Sequence, residues 1–270
     1  MNTQARWCAA ATLLGTLALT PVAANAVVVT AGCADATFCA MDELIAGGSI
    51  TIDDKRFFNF RDFTSTATNN SSVGFPVDLP LNASDIKVHS QFDYLGALGV
   101  PDEIGLAFDI DSGGSNIVLL DGGQTFALGW RYDVEVLDPS RAIVDNTLLL
   151  PEGIFLGASI ANIADTADGA ALTVIETLTE SPLVGPFVRK TVSANANGDA
   201  VMDHRDFAPI TQFTVDTSIT AFGGTELTGT NLSLDLLVQS FSQTEVPAPG
   251  TLMLLALGLA GFGVGRRKAA

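Results

Sequence analysis

The stretch Trp130-Arg131-Tyr132-Asp133-Val134-Glu135-Val136 decides the fold class of this chain. Apolar and polar side chains alternate along it, and successive side chains of a β-strand point to opposite faces of a sheet. The stretch therefore predicts a strand with one buried face and one solvated face. The same period of two recurs in three other places, namely 49–52, 86–89 and the positions Leu232, Leu234 and Leu236.

Turn signals separate these runs at intervals that are typical of a β-sandwich. They are Gly47-Gly48, Gly113-Gly114, Asp121-Gly122-Gly123, Asn197-Gly198 and Gly223-Gly224. We therefore predict an all-β fold, an antiparallel sandwich of jelly-roll or immunoglobulin-like type, as one domain over residues 27–243. A short helix is expected at 42–46, and the Ser-, Thr- and Asn-rich segment 65–72 is expected to be a surface loop.

The N-terminal residues predict export. Arg6 precedes an apolar core at 9–19, and Ala24-Asn25-Ala26 has the small-x-small form of a signal peptidase site. We predict a signal peptide over 1–26, cleaved after Ala26. Cys33 and Cys39 then remain in an exported chain, where a small disulfide loop is the expected state and a metal-binding pair is the alternative.

The charge balance limits the partners. The chain has thirty acidic and thirteen basic residues, a formal charge of −17, and without its two ends the charge would be −21. Such a field repels nucleic acid and anionic membrane surfaces, so neither is expected as a partner.

The last twenty-five residues have three parts. Val246-Pro247-Ala248-Pro249-Gly250 comes first, an apolar run at 251–265 follows, and Arg266-Arg267-Lys268 closes the segment. The apolar run is shorter than the ~20 residues of a comfortable membrane-spanning helix. The basic cluster is expected to stay in the cytoplasm, which leaves the preceding domain outside. An ordinary membrane anchor is the alternative interpretation.

These parts resemble the sorting tail of PEP-CTERM proteins of Gram-negative bacteria, which are substrates of exosortases. The resemblance covers 246–270, and it departs from the family where Ala248 replaces the glutamate of Pro-Glu-Pro. It implies a transmembrane helix that anchors the chain briefly in the inner membrane, recognition by an exosortase, removal of the tail, and transfer to the cell surface or beyond. The segment 38–55 is similar to the start of many PEP-CTERM ectodomains, which implies an exported β-domain.

Catalytic chemistry finds little support in the sequence. His89 and His204 are the chain's two histidines, and no serine lies in a Gly-x-Ser-x-Gly context. We therefore expect no enzyme and no catalytic residue. Two carboxylates meeting either histidine in one cleft would favour an enzyme instead.

One acidic segment has the oxygen spacing of a calcium loop, at positions 1, 3, 5, 9 and 12. Its residues are Asn195, Asn197, Asp199, Asp203 and Asp206. A hairpin turn at Asn197-Gly198 with an acidic connection is the favoured interpretation. A second acidic turn with Asp109, Asp111 and Asn116 is a weaker candidate of the same kind. No other cofactor is expected.

The sequence thus predicts a non-enzymatic protein that is exported and associated with the cell surface or extracellular matrix. Its expected partners are signal peptidase, an exosortase and, outside the cell, exopolysaccharide. A carbohydrate- or calcium-binding extracellular module is the alternative.

Overall fold

The computed structural model describes residues 27–70, 79–92, 104–110, 118–151, 153–155, 158–160, 163–164, 169–180, 186–194, 202–225 and 230–246. The predicted signal peptide with Ala24 and Ala26, and the tail from residue 247 onward, lie outside these residues. Within them, no helix combines the length and apolar character that crossing a membrane requires.

The described part of the chain forms two large antiparallel sheets that face each other. Sheet 1 contains, in spatial order, β1 (Val28–Ala31), β3 (Ser49–Ile52), β4 (Lys55–Asn69), β8 (Gln124–Val136), β16 (Gln212–Phe222), β13 (Ala171–Glu180) and β14 (Pro186–Ala194). Sheet 2 contains β15 (Met202–Ile210), β9 (Arg141–Leu149), β18 (Leu236–Phe241), β6 (Ile104–Ile110), β5 (Ile86–Phe92) and β2 (Phe38–Ala40), while β19 (Gln243–Glu245) pairs with β9. The prediction of an all-β sandwich is confirmed.

Smaller elements complete the described residues. One short sheet contains β12 (Ile163–Ala164), β17 (Thr230–Leu234) and β7 (Val118–Asp121), and another pairs β10 (Gly153–Phe155) with β11 (Ala158–Ile160). The expected helix is α1 (Met41–Ile45), which begins one residue earlier than predicted and packs Met41 and Leu44 into the core. A 3-10 helix spans Ala83–Asp85.

The alternating stretch at 130–136 lies at the centre of sheet 1 and behaves as its pattern predicts. Trp130 and Tyr132 are fully buried, whereas Arg131 between them is exposed. Phe108 of sheet 2 packs against both rings, with centroid distances of 4.8 Å to Trp130 and 6.0 Å to Tyr132. Burial of such large aromatic groups between the two sheets supplies the main favourable term in their association.

A buried hydrogen-bond chain also crosses the core. Tyr132 of sheet 1 donates its hydroxyl to Oε1 of Gln239 in sheet 2 at 2.6 Å. The amide of Gln239 donates back to Oγ1 of Thr217 in sheet 1 at 2.8 Å. Burial raises the pKa of Tyr132 well above its usual value, and the nearby charge of Glu176 adds to the effect. Tyr132 is therefore a neutral donor throughout the physiological range.

Two local predictions are wrong. Of the loop predicted at 65–72, residues 65–69 continue β4, because Thr64 to Asn69 pair residue by residue with Gln124 to Gly129 of β8, while 71 and 72 lie outside the described residues. Threonine is β-branched and favours strands, which outweighs the loop-like polarity of the segment. The repeat Leu232, Leu234 and Leu236 is not one strand, since Asp235 separates β17 from β18 and the two belong to different sheets.

Two irregularities bend β4 beside its outer charged side chains. The register with β8 shifts on either side of Arg61, and Asn59 and Asp62 both adopt a φ of 55°. Asn and Asp tolerate this left-handed conformation better than other non-glycine residues. The bulged positions bring Arg61 to Asp133 at 2.9 Å and Asp62 to Arg131 at 3.2 Å.

Candidate functional site

The junction between the folded domain and the C-terminal tail is defined by β19. This strand pairs with the start of β9, from Gln243 opposite Ile143 to Glu245 opposite Arg141. The amide of Val246 then donates to the carbonyl of Ser140 at 2.7 Å. β19 therefore ends two residues beyond 243, the end of the predicted domain, and one residue before 246, where the predicted tail begins.

A buried polar cluster lies at the same end of the sandwich. Gln243 donates its side-chain amide to Oδ1 of Asp54, which lies in the turn between β3 and β4. Beside it, Lys55 is fully buried, and its Nζ has no hydrogen-bond partner among the described residues. Burial lowers the pKa of Lys55 to about 8, although the charges of Asp54 and Asp53 oppose the shift. Burial of the Lys55 ammonium group costs free energy, and the rest of the fold must offset this cost.

The two cysteines of the predicted mature chain are joined, as expected. Cys33 and Cys39 form a disulfide with a Cα–Cα distance of 5.1 Å. Cys39 lies on β2 and is fully buried, so the bridge attaches the loop after β1 to the edge of sheet 2. The alternative of a metal-binding cysteine pair is excluded in this state, because both sulfur atoms are already bonded.

His204 meets two carboxylates on neighbouring strands of sheet 2. Asp206 of β15 lies directly opposite Asp145 of β9, and His204 lies opposite Thr147. One potential ligand atom from each of Asp145, His204 and Asp206 lies within 4.8 Å of the other two. Among the described residues, this is the group of three His, Cys, Asp or Glu side chains that could hold a metal ion.

The calcium loop predicted at 195–206 stays a prediction. Asn195, Asn197 and Asp199 lie outside the described residues, whereas Asp203 and Asp206 lie within β15. Positions three apart on a strand point to opposite faces, and Asp203 forms an ion pair with Arg205 at 2.8 Å. The favoured hairpin turn at Asn197-Gly198 also lies outside the described residues, and of the strands that flank it, β14 belongs to sheet 1 and β15 to sheet 2.

The second acidic turn is described in part. Asp109 lies on β6, 3.7 Å from Nε2 of His89, while Asp111 and Asn116 lie outside the described residues. His89 is half-buried on β5, and its ring contacts Phe38 at a centroid distance of 5.6 Å. Its polar position on an alternating strand agrees with the sequence pattern.

The outer surface of sheet 1 divides into a charged part and an uncharged part. The charged part contains ion pairs of Arg61 with Asp133 and of Arg131 with Asp216. The uncharged part, which we call the threonine face, is a shallow trough of about 350 Å³. Ten residues line it, namely Thr66, Thr68, Thr125, Phe126, Ala127, Ala171, Thr173, Thr220, Ala221 and Phe222.

The threonine face follows from strand register. Thr66, Ala127, Thr220 and Thr173 lie side by side on β4, β8, β16 and β13. The next row contains Thr68, Thr125, Phe222 and Ala171 on the same four strands. No local sequence signal indicates this surface, because its members come from four distant segments and the polarity of the β4 threonines favours a loop.

In the comparison with protein families, the match falls on the C-terminal tail and the end of the last strand. Residues 245–268 match the family model described as the PEP-CTERM protein-sorting motif. No curated protein is significantly similar to the chain. The motif begins at Glu245 within β19, so its first two residues belong to the folded domain.

Two solved structures show weak similarity. The enzymatically active domain of tailspike protein 4 from bacteriophage CBA120 is 8% identical with a TM-score of 0.23, over 68% of this chain and 19% of that one. The GH31 α-xylosidase from Xanthomonas citri is 11% identical with a TM-score of 0.18, over 84% of this chain and 28% of that one. The chain thus spans less than a third of either protein, and neither likeness bears on its function.

The motif implies a protein that is exported and sorted by an exosortase. Since the matched residues contain both Val246-Pro247-Ala248-Pro249 and Arg266-Arg267-Lys268, the resemblance found in the sequence is confirmed despite Ala248. The chain is a β-sandwich protein that carries a PEP-CTERM protein-sorting motif at residues 245–268.

Proposed function

We propose that the chain is a non-enzymatic protein of the cell surface or extracellular matrix, delivered there by an exosortase that removes its tail. The observation that carries the proposal is the sorting motif itself, which starts within the last strand of the sandwich. A tail joined so directly to a folded domain serves to deliver that domain.

Two properties of the domain support a location outside the cytoplasm. The Cys33–Cys39 disulfide persists in oxidising compartments and is rare in the cytosol. The strongly acidic composition keeps such a protein soluble and repels anionic surfaces. Both properties suit a protein that is released from the membrane once its anchor is removed.

The surroundings of His204 support a non-enzymatic role. The Thr147 hydroxyl lies 2.8 Å from Nδ1 of His204, and Asp206 lies 3.4 Å from Nε2, which resembles the order of a nucleophile–base–acid triad. Thr147 is only 1% exposed, however, so its hydroxyl has no access to a substrate. Asp145 is buried, but Asp206 is 87% exposed, so one of the two carboxylates beside His204 lies in open solvent.

The test is expression in a Gram-negative host that encodes an exosortase, beside an isogenic strain that lacks it. We expect the protein at the cell surface or in the medium of the first strain, and membrane-bound in the second. A variant in which Arg266, Arg267 and Lys268 are replaced by serine should lose delivery, whereas Ala248→Glu should be delivered at least as well. Equal distribution in both strains would refute sorting by this route.

The threonine face favours a second candidate, a carbohydrate-binding module for neutral polysaccharide. Hydroxyl groups on Thr66, Thr173 and Thr220 can exchange hydrogen bonds with sugar hydroxyls, and Phe222 offers an apolar surface. The trough carries no charged residue in a very acidic protein, so an uncharged polymer fits it better than a polyanion. Its volume is at the lower end of the range for ligand sites.

A matched pair of variants tests this second candidate. Thr173→Lys places a long charged side chain in the trough, while Thr177→Lys adds the same charge on the same strand outside it. In affinity electrophoresis through neutral glucan, we expect retardation of the wild type and of Thr177→Lys, and free migration of Thr173→Lys. Equal behaviour of all three proteins would refute binding at this face.

A further inference from the structure

We propose that Asp145, His204 and Asp206 form a binding site for a divalent transition-metal ion, with Zn²⁺ as the representative ligand. The site lies on neighbouring strands of sheet 2, where Asp145 and Asp206 are register partners. His204 and Asp206 are two residues apart on β15 and therefore point to the same side of the sheet. The three side chains thus converge from two hydrogen-bonded strands.

The distances suit a metal ion better than an ion pair. Nε2 of His204 lies 3.4 Å from Oδ1 of Asp206, which is longer than the ~2.7–2.9 Å of a good charge-assisted hydrogen bond. Two ligands at about 2.1 Å from a tetrahedral ion are separated by about 3.4 Å. Because Asp145 completes the group within 4.8 Å, an ion needs only small side-chain movements to reach all three.

The surroundings already orient the ligands. Thr147 lies 2.8 Å from Nδ1 of His204 and is buried, so it holds the ring with Nε2 directed toward Asp206. Histidines that ligate metals through one nitrogen usually have the other held by such a partner. Asp145 is 8% exposed and accepts a hydrogen bond from the backbone amide of Ser242 at 3.1 Å. Asp145 is therefore anchored to the segment that leads into β19.

The donor set selects the class of metal. An imidazole nitrogen with two carboxylates suits Zn²⁺ and related ions, whereas Ca²⁺ takes six to eight oxygen ligands. The proposed site therefore differs from the calcium loop predicted at 195–206, with which it shares only Asp206. Three protein ligands leave a coordination position for water or a partner group.

The experiment is a calorimetric titration of the purified exported protein with Zn²⁺ after removal of bound metal by a chelator, with Ca²⁺ as the comparison. We expect one Zn²⁺ per chain, and no saturable binding of Ca²⁺ at the same concentration. His204→Gln and Asp206→Asn should each weaken Zn²⁺ binding at least tenfold. Thr147→Val should weaken it by about tenfold and by less than the loss of either ligand, because only the orientation of the imidazole is lost.

The matched control is His89→Gln. His89 also lies beside an aspartate, Asp109 at 3.7 Å, but belongs to no three-ligand group among the described residues. This variant should bind Zn²⁺ as the wild type does. Wild-type affinity in His204→Gln, or equal losses in both histidine variants, would overturn the proposal. Melting curves recorded in chelator check that each variant is folded. Because the side chain of Asp206 is exposed, we expect Asp206→Asn to fold even if another variant does not.

Discussion

The buried amine of Lys55 gives the sharpest prediction about stability. Its Nζ is fully buried without a hydrogen-bond partner in the described structure, and its pKa falls from the ordinary 10.5 to about 8. Replacement by methionine keeps a long flexible side chain and removes the charge. We therefore expect Lys55→Met to be more stable than the wild type near pH 7.

The magnitude follows from the pKa. Each pKa unit is worth about 1.36 kcal/mol, so keeping Lys55 charged in the folded state costs about 3 kcal/mol below pH 8. The gain in Lys55→Met is at most this large, because Asp54 loses a nearby positive charge. Above pH 8 the folded protein releases the proton while the unfolded chain retains it up to pH 10.5. The unfolded state then binds more protons, so wild-type stability rises with pH.

Urea unfolding followed by the fluorescence of buried Trp130 measures this effect. Between pH 7.5 and 9.5, the free energy of unfolding of the wild type should rise by about 2 kcal/mol from Lys55 alone. The rise should vanish in Lys55→Met and persist in Lys87→Met, whose side chain on β5 is only half-buried. A flat wild-type profile, or an equal rise in Lys55→Met, would show that Lys55 does not carry the pH dependence.

Three further predictions concern the core and the disulfide. Tyr132→Phe leaves Oε1 of Gln239 without its buried donor and should cost about 1–3 kcal/mol in unfolding free energy, whereas no loss would contradict the buried hydrogen-bond chain. Gly105→Ala places a Cβ against the carbonyl oxygen of Gln239 on β18, so we expect a loss above about 3 kcal/mol or insoluble protein; near-wild-type urea midpoints would contradict the close pairing. Replacing Cys33 and Cys39 together by alanine should cost about 2 kcal/mol, and a reductant should destabilise the wild type but not this variant.

Much of the architecture could be predicted because burial imposes a period of two on any half-buried strand. Trp130 and Tyr132 point inward as their alternation with charged neighbours indicates, and Gly122-Gly123 closes the turn between β7 and β8. The pattern could not show where one strand ends and another begins within a continuous alternation. Leu234 and Leu236 are both buried, yet they belong to different sheets.

The candidate sites were harder to predict because strand register creates them. Asp145 lies sixty-one positions before Asp206, and no local spacing indicates that they are opposite each other. The threonines of β4 are hard to place for a related reason, since their polarity indicates a loop and only their pairing with β8 explains the strand. The tail, by contrast, was identified from sequence alone because its signal is contiguous along the chain.

We propose that the motif at 245–268 makes the tail a sorting device that is removed during export. The most direct test of this proposal is the intact mass of the protein recovered from the surface or medium of an exosortase-bearing host. We predict a chain that lacks Arg266, Arg267 and Lys268, with the full tail retained on membrane-bound protein from the exosortase-deficient strain. Recovery outside the cell of protein that still ends in the intact tail would contradict the claim.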